Sequence, residues 1–223
     1  MSGSTGAGPV AVMIGPPGSG KSKVGRTLAA GLGLTVRDTD ADIETRAGKP
    51  VSDIFVDDGE PRFRELEREA VLAALAEHDG VLSLGGGAVM NPTTQEALEK
   101  YAAGGGHVVF LDVPLAVAAQ RVGMNQARPL LLGNPRAQWQ KLMTERRPTY
   151  ERLATLTIVS SERPGEQVAA EIIEALKLEL VVGELVDPKR TAGTDMGTDM
   201  GIGVGTEAGT VVGKEESTEE STT

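Results

Sequence analysis

Eight residues near the start of the chain, Gly15-Pro16-Pro17-Gly18-Ser19-Gly20-Lys21-Ser22, restrict what the remainder can fold into. They fit G-x-x-x-x-G-K-[ST], the phosphate-cradling P-loop. Glycines let backbone N–H groups curl around an anion, and a following helix adds its unsatisfied amides and positive dipole end. Lys21 is placed to reach the terminal phosphates, and the Ser22 hydroxyl to meet a magnesium ion bridging two of them. The surroundings agree with the motif. The apolar run Val10-Ala11-Val12-Met13-Ile14 reads as a buried strand before the loop, and Lys21 to about Ala30 reads as a helix after it.

From residue 10 to about 180 the chain alternates strand-like and helix-like segments. After Val10–Ile14, strands are expected at Thr35–Arg37, Gly80–Leu84, His107–Leu111 and Thr155–Val159. Helical patterns fall at Pro61–Glu77, Thr93–Tyr101, Leu115–Val122, Arg136–Leu153 and Gly165 to about Leu180. Apolar strands alternating with helices predict a five-stranded parallel sheet covered on both faces, a three-layer α/β/α domain. Ligands of such sheets gather at the carboxyl ends of the strands, where the P-loop, Asp38 and Gly85 all fall.

Three further stretches carry chemistry. Asp38-Thr39-Asp40 brings two carboxylates to the P-loop edge: one to support a metal ion, the other to accept a proton from an attacking hydroxyl. The same residues also suit a cap on a helix beginning near Ala41, with Glu44 placed to complete it. Gly85-Gly86-Gly87 follows a buried strand, a costly choice unless the backbone approaches something closely or takes a positive φ. Its amides are candidates for a small polar substrate, and a plain strand-to-helix turn is the alternative. Arg64, Arg121, Arg128 and Arg146 supply planar guanidinium groups matched to carboxylate or phosphate. Arg128 lies among Gly123, Asn125 and Gly133, the composition of a lid over about residues 123–135.

Composition excludes several classes. Without cysteine there is no disulfide framework and no zinc-thiolate site. The net charge of −10 argues against a nucleic-acid partner. No apolar stretch is long enough to span a bilayer, and residues 1–9 lack the pattern of a signal peptide, so a cytoplasmic protein is expected. From Val181 onward nine acidic side chains stand against three basic ones, with Gly-Thr-Asp-Met repeated at 193–196 and 197–200. Few large apolar residues are present there, so 181–223 is expected to be a disordered acidic extension of a single domain spanning 10–180. Lacking a heptad or an exposed apolar stripe, the chain is expected to be a monomer.

These motifs, in this order, resemble the shikimate kinases, particularly those of actinobacteria. The resemblance covers about residues 10 to 178. It rests on the P-loop, Asp38-Thr39-Asp40, Asp53-Ile54-Phe55 through Phe63-Arg64, Leu-Ser-Leu-Gly-Gly-Gly-Ala-Val, Arg128-Pro129-Leu130-Leu131, and Arg146 with Pro148 and Tyr150. It implies ATP-dependent phosphorylation of the shikimate 3-hydroxyl, with magnesium as cofactor and a helical substrate-binding segment after the second strand. Gly18, Ser19, Gly20, Lys21, Ser22 and Lys23 would bind ATP, with Ser22 and Asp38 supporting the metal. Asp40 would hold the substrate hydroxyls and take the proton. Arg64 and Arg146 would clamp the carboxylate, while Gly86, between Gly85 and Gly87, would give an amide to a ring hydroxyl. Phe55 and Phe63 would shape the site, Arg128 would meet the phosphates from the lid, and Arg121 and Arg163 would lie against the adenine. Lys23 departs from the threonine usual in the family. Two rivals share the P-loop: a gluconate or nucleotide kinase of the same fold, and a regulator that binds ATP without turnover.

Overall fold

The computed structural model describes residues 8–121, 135–161, 163–181, 185, 186 and 188. Five parallel strands form one sheet in the order β2-β3-β1-β4-β5. They are β1 (Ala11–Ile14), β2 (Val36–Asp38), β3 (Val81–Ser83), β4 (Val108–Asp112) and β5 (Leu156–Val159). The helices are α1 (Lys21–Gly31), α2 (Thr39–Ala47), α3 (Val51–Asp57), α4 (Gly59–Glu77), α5 (Pro92–Ala103), α6 (Leu115–Arg121), α7 (Pro135–Leu153) and α8 (Gly165–Leu176). The expected five-stranded three-layer architecture is what the chain adopts.

Strand β1 lies at the centre because it can be buried on both faces. Alternate residues of a strand point to opposite sides. Val12 and Ile14 accordingly join Leu82, Val108 and Phe110 against α4, α5 and α7. Ala11 and Met13 join Val81, Val109 and Leu111 against α1 and α8. A third, smaller cluster of Ile43, Ile54, Phe63, Leu66 and Ala70 ties α2 and α3 to α4, outside the sheet and beside its carboxyl edge.

The segment after β2 differs from the sequence expectation in two ways. It contains two short helices, α2 and α3, where one helix near Ala41 was expected. Asp40 is therefore in the first turn of a helix and not on an extended strand end. Asp38 accounts for this, because its Oδ1 accepts from the Asp40 amide at 3.1 Å and caps α2. Glu44 does not complete that cap; its carboxylate accepts from the Val51 amide at the start of α3.

Apolar packing also continues past α8. Leu178 and Leu185 pack on the α1–α8 cluster, and the Val181 amide donates to Gly31 O at 2.9 Å. A Cβ on Gly31 would sit 2.3 Å from Leu185 Cδ2, so the missing side chain leaves the notch that this segment fills. Deleting everything after Lys177 is expected to remove on the order of 2 kcal/mol of burial and lower the unfolding midpoint by roughly 4 to 8 °C. Deleting only residues 189–223 should leave the midpoint within about a degree, and thermal scans of the two truncations check this. Equal midpoints for both would show that the segment contributes nothing.

Candidate active site

The P-loop lies between β1 and α1 at the carboxyl edge of the sheet. Gly20 precedes α1 at φ 92°, a left-handed conformation that leaves glycine as the compatible residue. Lys21 is buried, and its Nζ donates to Gly15 O at 2.8 Å and to Pro16 O at 3.1 Å, bridging the loop where phosphates would lie. Burial pulls its ammonium down to about 8, opposed by the negative charges of Asp40 and Asp38. The Ser22 hydroxyl, exposed at the mouth of the loop, donates to Asp38 Oδ2 at 2.8 Å. Asp38 thus holds the P-loop serine with one oxygen and caps α2 with the other, which bears out the capping reading.

The three glycines are explained by close approach, since none has a positive φ. A Cβ on Gly85 would lie 2.5 Å from Asp40 Oδ1 and 2.9 Å from Glu67 Oε1, and one on Gly87 would lie 2.5 Å from an Arg64 guanidinium nitrogen. This strand end therefore passes between the acidic and basic walls of one cleft. The Gly85 amide is held by Thr39 Oγ1 at 3.0 Å, which locks the glycine turn to the α2 wall. On the other side Gly86 O accepts from Arg146 at 3.0 Å and from the Tyr150 hydroxyl. Arg147, the neighbour of Arg146, forks onto Asp112 at the end of β4, with contacts of 3.0 and 2.6 Å, and ties this part of α7 to the sheet.

Asp40 sits at the centre of this cleft. Burial raises its carboxyl to about 6, and the carboxylates of Asp38 and Glu67 push the same way, against Lys21. Arg64 lies over the faces of Phe63 and Phe55, 5.2 and 6.0 Å from the ring centroids. The two rings are 4.5 Å apart and tilted by 34°. Arg64 Nε and Nη2 donate to Glu60, and Nη1 donates to Glu67 at 2.7 Å.

Glu67 is a site residue that the sequence expectations missed. It is 3% exposed, and burial raises its carboxyl above the usual range despite the pull of Arg64 and Arg146. A signal was present: position 67 falls within the buried stripe Phe63, Leu66, Ala70, Val71 and Ala74 of α4, where a charge needs a partner. Trp139 was missed too. Its indole N–H donates to Pro17 O at 3.1 Å and fixes α7 to the P-loop.

Of the expected nucleotide residues outside the P-loop itself, Arg121 reaches the loop from the β5 side. Arg121 donates to Gly18 O and Ser19 O at 3.4 and 3.3 Å and to Ser160 Oγ at 3.3 Å, joining the P-loop to the end of β5. Lys23 is exposed, with its aliphatic stem alongside Gly165. Arg163 is turned toward Val159 O and Glu171 at the edge of α8, and none of its hydrogen bonds reaches the P-loop. Arg128 and most of the expected lid, 123–135, lie outside the described residues. Ser22 Oγ and Asp38 are hard oxygen donors at the mouth of the loop, while no group of three metal-binding side chains occurs among the described residues. Such a pair suits a hard divalent ion that takes most of its ligands from phosphate oxygens and water.

A phosphate cradle, a buried lysine, a carboxylate with a raised pKa and an arginine-lined recess on a 2-3-1-4-5 parallel sheet define a P-loop phosphotransferase with a small anionic acceptor. Comparison makes this specific. The shikimate kinase family model matches residues 17–177, and the chain belongs to the shikimate kinase family. The chain is 58% identical over 165 residues to the shikimate kinase of Thermobifida fusca, covering 74% of this chain and 92% of that protein. It is 53% identical to that of Salinispora arenicola, covering 75% and 98%. Among solved structures, shikimate kinase from Acinetobacter baumannii in complex with shikimate aligns with a TM-score of 0.71 at 32% identity, covering 78% of this chain and 97% of that one. The expected family and fold are thereby met, and the chain is an ATP-dependent kinase.

Proposed function

We propose that the chain transfers the γ-phosphoryl group of ATP to the 3-hydroxyl of shikimate, giving shikimate 3-phosphate and ADP, and that the cleft around Asp40 is where it does so. The observation that carries this is the convergence at the Gly85–Gly87 turn: Asp40 and Glu67 both crowd Gly85, Arg64 holds Glu67 at 2.7 Å, and Arg146 holds Gly86 O at 3.0 Å. A ring carrying a carboxylate at one end and a hydroxyl at the other can rest its carboxylate on the arginines and present the hydroxyl to Asp40. As the hydroxyl oxygen bonds to the γ-phosphorus and the bond to the β,γ-bridging oxygen breaks, Asp40 accepts the hydroxyl proton and the electron pair leaves on ADP. Lys21 moves from its loop carbonyls to the phosphate oxygens, and Arg128 meets the same charge from the lid. Because the transition state is loose, orientation and charge neutralisation supply most of the acceleration.

Shikimate kinases use ATP with a divalent metal, and we assign magnesium to Ser22 and, through water, Asp38. When bound, the ion neutralises charge on the β and γ phosphates. Gly18, Ser19, Gly20 and Lys23 line the phosphate path, Arg121 and Arg163 flank the base, and Phe55, Phe63 and the amides of Gly85–Gly87 bound the acceptor. The folded domain is read as running from about residue 10 to at least Leu185, with 189–223 dispensable for turnover. We further place the protein in the cytoplasm as a monomer. Among the described residues no helix is long and apolar enough to cross a membrane, and exposed large apolar side chains such as Val56, Met90 and Val159 are scattered.

The test is ADP release with magnesium and ATP in the presence of shikimate, gluconate or AMP. Stimulation by shikimate alone is expected; stimulation by another acceptor would discard the substrate site and leave the P-loop. Within this site, Arg64→Ala is expected to raise KM for shikimate about thirtyfold with kcat nearly unchanged, the loss of a charge-assisted pair to a carboxylate. An unchanged KM would remove Arg64 from the clamp.

A further inference from the structure

A cavity of about 540 Å³ opens on the solvent side of Arg64, lined by Asp58, Arg62, Arg64, Glu65, Arg68 and Asn91. Most of its charges are already satisfied. Asp58 is paired with Lys49 at 2.7 Å, and Arg62 is paired with Glu65. The Asn91 side-chain carbonyl caps α5, accepting from the Thr93 and Thr94 amides at 2.9 and 3.3 Å, so only its NH2 donors remain to offer. Arg68 is different. It is half-buried, one helical turn beyond Arg64 on the same face of α4, and has no hydrogen bond or ion pair among the described residues. Arg64 is itself paired, through Nε and Nη2 with Glu60 and through Nη1 with Glu67, so what the cavity presents is the Arg68 guanidinium and an amide donor.

We infer that Arg68, with the Asn91 amide, forms an entry subsite that captures the carboxylate of the incoming acceptor before Arg64 and Arg146 take it over. This rests on the assignment of the Arg64 cleft as the acceptor site. The subsite takes a small organic carboxylate and not the nucleotide, because Arg121 and Lys23 contact the P-loop and α8 on the other side of the molecule. A free guanidinium at the mouth raises the local concentration of an anion, an effect carried across solvent and so weakened by salt. Arg68 is a positioning residue that touches the substrate only on its way in, so the chemical step does not depend on it.

The test measures kcat and KM for shikimate and for ATP in wild type, Arg68→Gln and Arg68→Lys at about 10 mM and about 300 mM ionic strength. For Arg68→Gln, kcat/KM for shikimate is expected to fall about threefold at low salt and to converge on wild type at high salt. Both kcat and KM for ATP should stay unchanged, and Arg68→Lys should retain most of the wild-type value. Equal kcat/KM for Arg68→Gln and wild type at low salt overturns the proposal, as does a loss that persists at high salt together with a lower kcat. Wild-type protein assayed alongside separates the two levels: if it shows no shikimate-dependent ADP release, the acceptor assignment fails and the entry subsite fails with it.

Discussion

Lys21→Met is expected to lower kcat by about a thousandfold or more while leaving the protein folded. Lys21 is buried yet donates to its own loop, to Gly15 O and Pro16 O at 2.8 and 3.1 Å and to Ser19 Oγ at 3.5 Å. Those contacts are replaceable, because methionine fills most of the same volume and the carbonyls lie beside a cleft that admits water. Arg146 is near enough to oppose the Lys21 charge, but it is held by Gly86 O at 3.0 Å on the acceptor side. Arg121 reaches Gly18 O and Ser19 O, but from the β5 side and committed to Ser160. The loss should therefore appear in turnover and not in the unfolding midpoint. A second reading separates lysine from a general packing effect. Burial holds the ammonium down to about 8, and phosphate oxygens would raise it, so ATP binding near pH 8 should take up a proton. Calorimetric heats of binding should then depend on the ionisation enthalpy of the buffer for wild type and lose that dependence in Lys21→Met. Retention of turnover within tenfold would remove Lys21 from the chemistry.

That prediction was readable from eight residues because a P-loop is local: its glycines, lysine and serine are contiguous, and the flanking strand and helix announce themselves by periodicity. The same holds for strands β1 and β4, apolar along Ala11–Ile14 and 108–111 because they are covered on both sides. Legibility falls where a function is assembled across the fold. Asp40 was readable as a candidate, but its helical placement depends on the Asp38 cap, and its raised carboxyl depends on Glu67 from α4. Glu67 itself looked like one more charge in a charged helix. Its burial against Arg64 and Gly85 follows from the packing of α4 on β3, which one helix's pattern does not fix. The glycine triplet could be read as positive φ or as close approach, and only the positions of Asp40 and Arg64 decide for the second. Leu185 was assigned to the acidic extension by composition, since a single leucine carries no period, and the notch at Gly31 that receives it lies far away in sequence.

Asp40→Asn is expected to lower kcat by about a hundredfold or more and, in the same protein, to raise the unfolding midpoint at neutral pH. The two effects have one origin. Burial and the nearby carboxylates of Asp38 and Glu67 lift the folded-state pKa of Asp40 from 3.8 to about 6, so the fold prefers the protonated form. Below about pH 4 the carboxyl is neutral in folded and unfolded chains alike. As pH rises toward 6 the unfolded chain sheds this proton first, and stability falls. Above 6 the full cost remains, on the order of 2 to 3 kcal/mol at 1.36 kcal/mol per pKa unit. Asparagine keeps the shape without the charge, so Asp40→Asn should melt several degrees higher than wild type at pH 7.5, and the gap should close as pH falls to about 4. Activity must run the other way. A base has to be ionised, so wild-type kcat/KM for shikimate should rise with unit slope and level off above about pH 6, a limb that the residual activity of Asp40→Asn lacks. If the variant melted at the wild-type temperature at both pH values, the carboxylate would not be strained in the fold. If the limb survived the substitution, the proton acceptor would have to be sought elsewhere in the cleft, with Glu67 the next carboxylate to replace.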